Sequence, residues 1–155
     1  MQRPRETLTH GPVTLHRWRA GAGAAAELAR AVTESAGLLR PFMPWARGEY
    51  GLAEAEQFLD SCEQGWEAGT EFSYAIRSGP VLAGGAGLMT RIGPGGLEIG
   101  YWVHGDFTRR GIATAGARRL AELAFAEPAI DHVEIHHDRA NAGSEIGRAS
   151  CRERV

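Results

Sequence analysis

The residues with the most chemical content lie in one stretch: Thr108-Arg109-Arg110-Gly111-Ile112-Ala113-Thr114, a short turn after the apolar segment over residues 97–104. The apolar segment reads as the strongest strand in the chain, and the run after the turn opens a helix. A helix N-terminus carries unpaired backbone N–H groups and the positive end of the helix dipole, so it holds anions. Gly111 has no Cβ to keep a phosphate from its backbone, and Arg109 and Arg110 add positive charge beside it. Taken alone, the same residues also fit an ordinary strand–turn–helix connection with two solvated arginines.

Other groupings carry less. Gly21-Ala22-Gly23-Ala24-Ala25-Ala26 imitates a dinucleotide-binding loop. That loop needs a second parallel strand ending in an acidic residue about 20 positions on, where this chain has Pro41-Phe42-Met43-Pro44. His132 and His136 lie four apart on an expected strand, about 13 Å at about 3.3 Å per residue, too far for one metal ion. No metal is expected. Cys62, Phe58 and Trp66 fall on the apolar side of a helix and read as core. The chain has neither a Gly-x-Ser-x-Gly elbow nor a Walker phosphate loop.

The elements that must position these groups follow from periodicity. Residues 13–18 alternate as a first strand, and residues 21–33 place Ala25, Leu28, Ala29 and Val32 at helical spacing. Residues 38–46 hold two prolines among large apolar side chains, a poor helix and a loop suited to the substrate side. Residues 52–68 carry Ala55, Phe58, Leu59, Cys62 and Trp66 on one stripe of a second helix. Residues 71–77 and 81–92 read as antiparallel strands, and Gly93-Pro94-Gly95-Gly96 as a turn. A helix over 108–126 and a strand over 131–137 complete a mixed α+β domain.

Composition narrows the function classes. The 155 residues fit one domain, and 43% hydrophobic content suffices for a core. A net charge of −2 argues against a generic binder of nucleic acid or anionic membrane. No stretch reaches the roughly 18 apolar residues of a membrane span, and the first twenty residues lack the apolar core of a signal peptide. The two cysteines form no disulfide framework. A cytoplasmic protein is expected, monomeric or homodimeric.

Four motifs in order resemble the GNAT family of N-acetyltransferases, its RimJ/RimL-like branch in particular. Glu98-Ile99-Gly100-Tyr101-Trp102-Val103 resembles that branch's central strand, and Arg110-Gly111-Ile112-Ala113-Thr114 its acetyl-CoA pyrophosphate loop. Leu39-Arg40-Pro41-Phe42-Met43-Pro44-Trp45 resembles its apolar substrate loop, and Asn141-Ala142-Gly143-Ser144 its cofactor-contacting Asn-x-x-Ser. Thr108 stands where the family's loop has Gln or Arg.

The resemblance implies a GNAT-type acyl-CoA N-acyltransferase fold, a mixed and mostly antiparallel sheet flanked by helices. It implies acetyl transfer from acetyl-CoA to a primary amine, most naturally a protein N-terminal α-amine. The alternatives are a small-molecule amine, such as an antibiotic or polyamine, and a non-catalytic acyl-CoA-binding module. Acetyl-CoA would be held by Tyr101, Trp102, Val103, Arg109, Arg110, Gly111, Ile112, Ala113, Thr114, Asn141 and Ser144. Trp102 and Val103 would act through their main chain. Phe42, Met43 and Trp45 would meet the acceptor, and Glu98 would stand as general base. A structural ion pair with a neighbouring arginine is the competing role for Glu98.

By the same resemblance the domain runs over residues 8–144, and a helix and two strands that follow in the family are expected to be missing. Residues 145–155 read as one frame of a sequencing-library adapter and are expected to be non-native.

Overall fold

Residues 7–17 form a hairpin that the sequence pattern only half announces. Strand β1 (Thr7–His10) pairs antiparallel with β2 (Val13–Arg17), and His10 stands opposite Val13. Gly11 supplies the left-handed residue of the turn, at φ 58°. Only Leu8 of β1 is buried, so the alternation is too short to mark a strand in sequence. It is held by β2 instead. The computed structural model describes residues 3–34, 50–104 and 111–135.

Helix α1 (Ala22–Glu34) buries Ala25, Leu28, Ala31 and Val32, close to the expected spacing. Helix α2 (Leu52–Ala68) starts where the Gly51 N–H donates to the Glu54 carboxylate. It stops at Gly69, whose left-handed conformation closes the last turn. Its stripe is Ala55, Leu59, Cys62 and Trp66. Phe58, the remaining expected member, is half-buried at the stripe's edge.

Strands β3 (Glu71–Ser78), β4 (Val81–Met89) and β5 (Gly96–Val103) continue the antiparallel sheet. Strand β4 ends at Met89, short of the expected residue 92: the bond from Thr90 N–H to the Thr70 carbonyl still continues the pairing with β3, and the chain then turns, with Gly93 N–H donating back to the Thr90 carbonyl at 3.3 Å. Helix α3 (Ile112–Phe125) then crosses to β6 (His132–Ile135), which lies parallel to β5. The described sheet has six strands in sequence order, with one parallel pair at its end. This is the mixed, mostly antiparallel α+β fold expected of a GNAT domain.

Two cores flank the sheet. Phe72, Tyr74, Ile76, Leu88 and Ile99 pack with Ile112, Leu120 and Ala124 of α3. Ala75, Leu82 and Trp102 pack with α1 and α2 in a smaller cluster rich in alanine. Among the described residues no helix is long and apolar enough to cross a membrane.

Candidate active site

Strand register fixes three rows of side chains on the face that carries α1 and α2. Glu71, Met89 and Glu98 form the first row, Ser73, Gly87 and Gly100 the second, and Ala75, Gly85 and Trp102 the third. The second row is nearly bare. A Cβ added at Gly87 would meet the Ser73 hydroxyl at 3.3 Å, and one at Gly100 would meet Met89 Cε at 3.1 Å. Glycine inside a strand gives up side-chain packing and marks a close backbone approach. Here the bare row floors a cleft of about 710 Å³. Trp18, Leu28, Tyr50 and Phe58 wall it, with Trp18 and Phe58 edge to face at 6.1 Å between ring centres. The third row is closed, because the Trp102 indole lies where a side chain on Gly85 would stand.

Charge gathers at the first row. The Glu98 side chain is 5% exposed, and it accepts a hydrogen bond at Oε1 from Nε of Arg91. Arg91 is 69% exposed and lines the cleft beside Glu71. Burying a lone carboxylate is costly, and the guanidinium offsets that cost while its own outer part stays in water. The bond to Glu98 raises the Arg91 pKa above its ordinary value. Burial pushes the Tyr50 phenol up to about 12 and the Cys62 thiol likewise to about 12. Both groups are neutral near pH 7, so Cys62 is an inert core residue and Tyr50 a polar wall without charge.

A second feature lies across β5. The parallel pairing of β5 with β6 is registered from Gly96↔His132 to Ile99↔Ile135, and β5 continues through Val103. Helix α3 opens just beyond, with Gly111 as its N-cap at φ 73°. Among the described residues nothing lies within 4 Å of where a Gly111 Cβ would be, and the residue is exposed. The first intrahelical bond recorded there runs from Ala115 N–H to the Gly111 carbonyl at 2.9 Å. The N–H groups of residues 112–114, in the first turn of α3, therefore have no intrahelical acceptor, which suits an anion.

The structure thus brings together part of the expected set. Glu98, Tyr101, Trp102 and Val103 share β5, and Gly111, Ile112, Ala113 and Thr114 form the α3 start. Trp102 faces the cleft, whereas Tyr101 and Val103 pack against the core under α3. Ile112 is buried in that core, so only its backbone is available to a ligand. Phe42, Met43, Trp45, Arg109, Arg110, Asn141 and Ser144 lie outside the described residues. Sequence reasoning missed Arg91, Ser73 and the aromatic walls. The Gly84-Gly85-Ala86-Gly87 run inside an apolar strand was the available signal for the cleft floor.

No curated protein matches the chain by sequence. Among solved structures, RimL, a ribosomal-protein α-N-acetyltransferase in complex with coenzyme A, superposes at a TM-score of 0.80 with 17% identity, over 92% of this chain and 80% of that one. The microcin C7 self-immunity acetyltransferase MccE, with acetyl-CoA and AMP, gives a TM-score of 0.79 at 17% identity, over 88% and 76%. Mycobacterium smegmatis RimJ, with a CoA disulfide, gives 0.74 at 20% identity, over 87% and 66%. At such identities these likenesses speak for the fold. The sequence pattern of the acetyltransferase (GNAT) domain matches residues 13–146, and the chain belongs to this family of N-acetyltransferases.

Proposed function

We propose that the chain transfers the acetyl group of acetyl-CoA to the α-amine of a protein N-terminus. The observation that carries this reading is Glu98, a carboxylate 5% exposed, in the row beside a glycine-floored cleft. An α-amine of pKa about 7.7–8.0 costs roughly 1 kcal/mol to deprotonate at pH 7, a lysine near 10.4 roughly 4.6. One carboxylate, acting directly or through a single water, suffices for the first. A floor without side chains also suits an extended peptide main chain.

The fit to acetyl-CoA rests on the open turn at Gly111 and on β5. Bound there, acetyl-CoA would supply an activated thioester carbonyl. The amides of residues 111–114, with Arg109 and Arg110, would hold its pyrophosphate, and Asn141 and Ser144 would add contacts. The main chain of Trp102 and Val103 would align the pantetheine arm, with Tyr101 backing the strand. Glu98 would take the proton that the amine loses as its nitrogen bonds the acetyl carbon, while the thioester C–S bond breaks and coenzyme A leaves as a thiolate that takes up a proton from solvent. Phe42, Met43 and Trp45 would cover the acceptor, and the reaction is placed in the cytoplasm.

A small-molecule amine is the second reading, prompted by MccE, a microcin C7 self-immunity acetyltransferase of similar fold whose structure holds acetyl-CoA and the small molecule AMP. Free-thiol release from acetyl-CoA decides between them. Turnover with N-terminal peptides well above that with polyamines or aminoglycosides is the expected result. The reverse order establishes the second reading, and no thiol release with any amine overturns both.

A further inference from the structure

We propose that Arg91 reads the acceptor: its guanidinium binds the carbonyl oxygen of the residue that bears the α-amine, so the cleft selects peptide N-termini over simple alkylamines. The inference rests on the reading of the cleft as the acceptor site with Glu98 as its base. Arg91 sits in the turn after β4, and its Nε is engaged by Glu98. A guanidinium carries five N–H donors in one plane, so four remain on its terminal nitrogens. Among the described residues no other hydrogen bond or ion pair of Arg91 is recorded. The side chain lines the cleft and is 69% exposed, while the carboxylate behind it is 5% exposed. The terminal donors are therefore accessible from the cleft, in the plane of the bond to the base.

Covalent geometry makes this placement selective. In a peptide N-terminus the α-nitrogen and the first carbonyl oxygen are three bonds apart, about 3 Å in space. An amine facing Glu98 sets that carbonyl within reach of the neighbouring terminal N–H groups. An alkylamine presents only C–H there, and strips water from the guanidinium without replacing its hydrogen bonds. A site built to hydrogen-bond a substrate group discriminates strongly against the analogue that lacks it. The Arg91 donors are charged, and such bonds are stronger than neutral ones.

The test compares kcat/KM for a neutral alanyl peptide amide and for propylamine, on the full chain and on the Arg91→Lys and Arg91→Gln variants. Lysine keeps a charge beside Glu98 but cannot donate to the carboxylate and the carbonyl in one plane. The peptide-to-propylamine ratio should fall roughly ten- to hundredfold in both variants. Both rates falling in parallel would show that Arg91 only positions Glu98, and would overturn the proposal. Calorimetric titration of the peptide onto the same three proteins needs no turnover. Affinity weakened about tenfold in both variants upholds the proposal even if acetyl transfer itself is not found, and equal affinity sinks it.

Discussion

The two faces of one sheet have taken opposite courses. On strands β3 to β5, Phe72, Tyr74, Ile76, Leu88 and Ile99 point to one side and are fully buried under α3 and its neighbours. The residues between them, Glu71, Ser73, Gly87, Met89, Glu98 and Gly100, point to the other, where all but Glu98 border or floor the cleft. Alternation in a strand sends successive side chains to opposite faces. A single stretch of backbone therefore supplies a bulky, dry core at one parity and an open, charged site at the other. Substitutions on these strands should sort by parity. Odd and even neighbours should fail in different assays.

The largest effects test that division. Leu120 of α3 is fully buried on the closed face. Leu120→Ala should destabilise the fold by about 3 kcal/mol or more, through lost transfer energy and the cavity left behind. Equilibrium unfolding in urea should show it, with specific activity of the folded fraction unchanged. Glu98→Gln should do the opposite, lowering kcat by roughly 10²–10⁴ while the melting temperature holds. The fold should tolerate that change because Arg91, the partner left behind, is 69% exposed and stays solvated. A variant that loses stability yet keeps its specific activity would make Glu98 a structural ion-pair residue, and parity would no longer separate the two roles.

The closed face was the more legible one in the sequence. The alternation of Leu97, Ile99 and Tyr101 with Glu98, Gly100 and Trp102 announces β5, and the stripe of α2 announces its buried side. Both are local patterns. Strand β1 was not legible, since only Leu8 of its four residues is buried and its pairing with β2 makes it a strand. The end of β4 was misjudged for a related reason. Thr90, Arg91 and Ile92 alternate like a strand, but Gly93 N–H donates back to the Thr90 carbonyl and bends the chain away. The pair of Arg91 with Glu98 depends on that bend and on the β4–β5 register. Register and turn geometry are tertiary facts, and a residue's type reports neither. The glycines of the floor were visible in the sequence, but which face they open onto was not.

Smaller effects sharpen the same comparison. Gly87→Val puts branched carbon on the cleft floor, beginning 3.3 Å from the Ser73 hydroxyl. It should raise KM for the acceptor about tenfold, the scale of one or two methylene-sized misfits. Affinity for acetyl-CoA should be unchanged, since Gly111 and the α3 start lie elsewhere. Titration with coenzyme A separates the two, and a parallel loss of both affinities would mean that the cleft is not acceptor-specific.

The smallest expected effect belongs to an ion pair on the open face but outside the cleft. Arg77 of β3 donates two hydrogen bonds to the Glu27 carboxylate of α1, the longer at 3.0 Å. These bonds, with the charge of Arg77, hold the Glu27 pKa below its ordinary value, against the opposing push of partial burial. A carboxylate with a lowered folded pKa adds stability above its unfolded pKa and loses it as pH falls through the folded one. The Glu27 side chain is 38% exposed, so solvent screens the pair and its worth is a few tenths of a kcal/mol up to about 1. Glu27→Gln should accordingly cost that little at pH 7, and the difference from the parent protein should close as the pH drops below the carboxylate range. Added salt at pH 7 should shrink it as well. Urea unfolding at pH 7 and at pH 3 measures both values. A gap that widens toward acid would mean that Glu27 is stabilised in its protonated form, so that α1 is held over the sheet by packing and the pairing with Arg77 adds nothing.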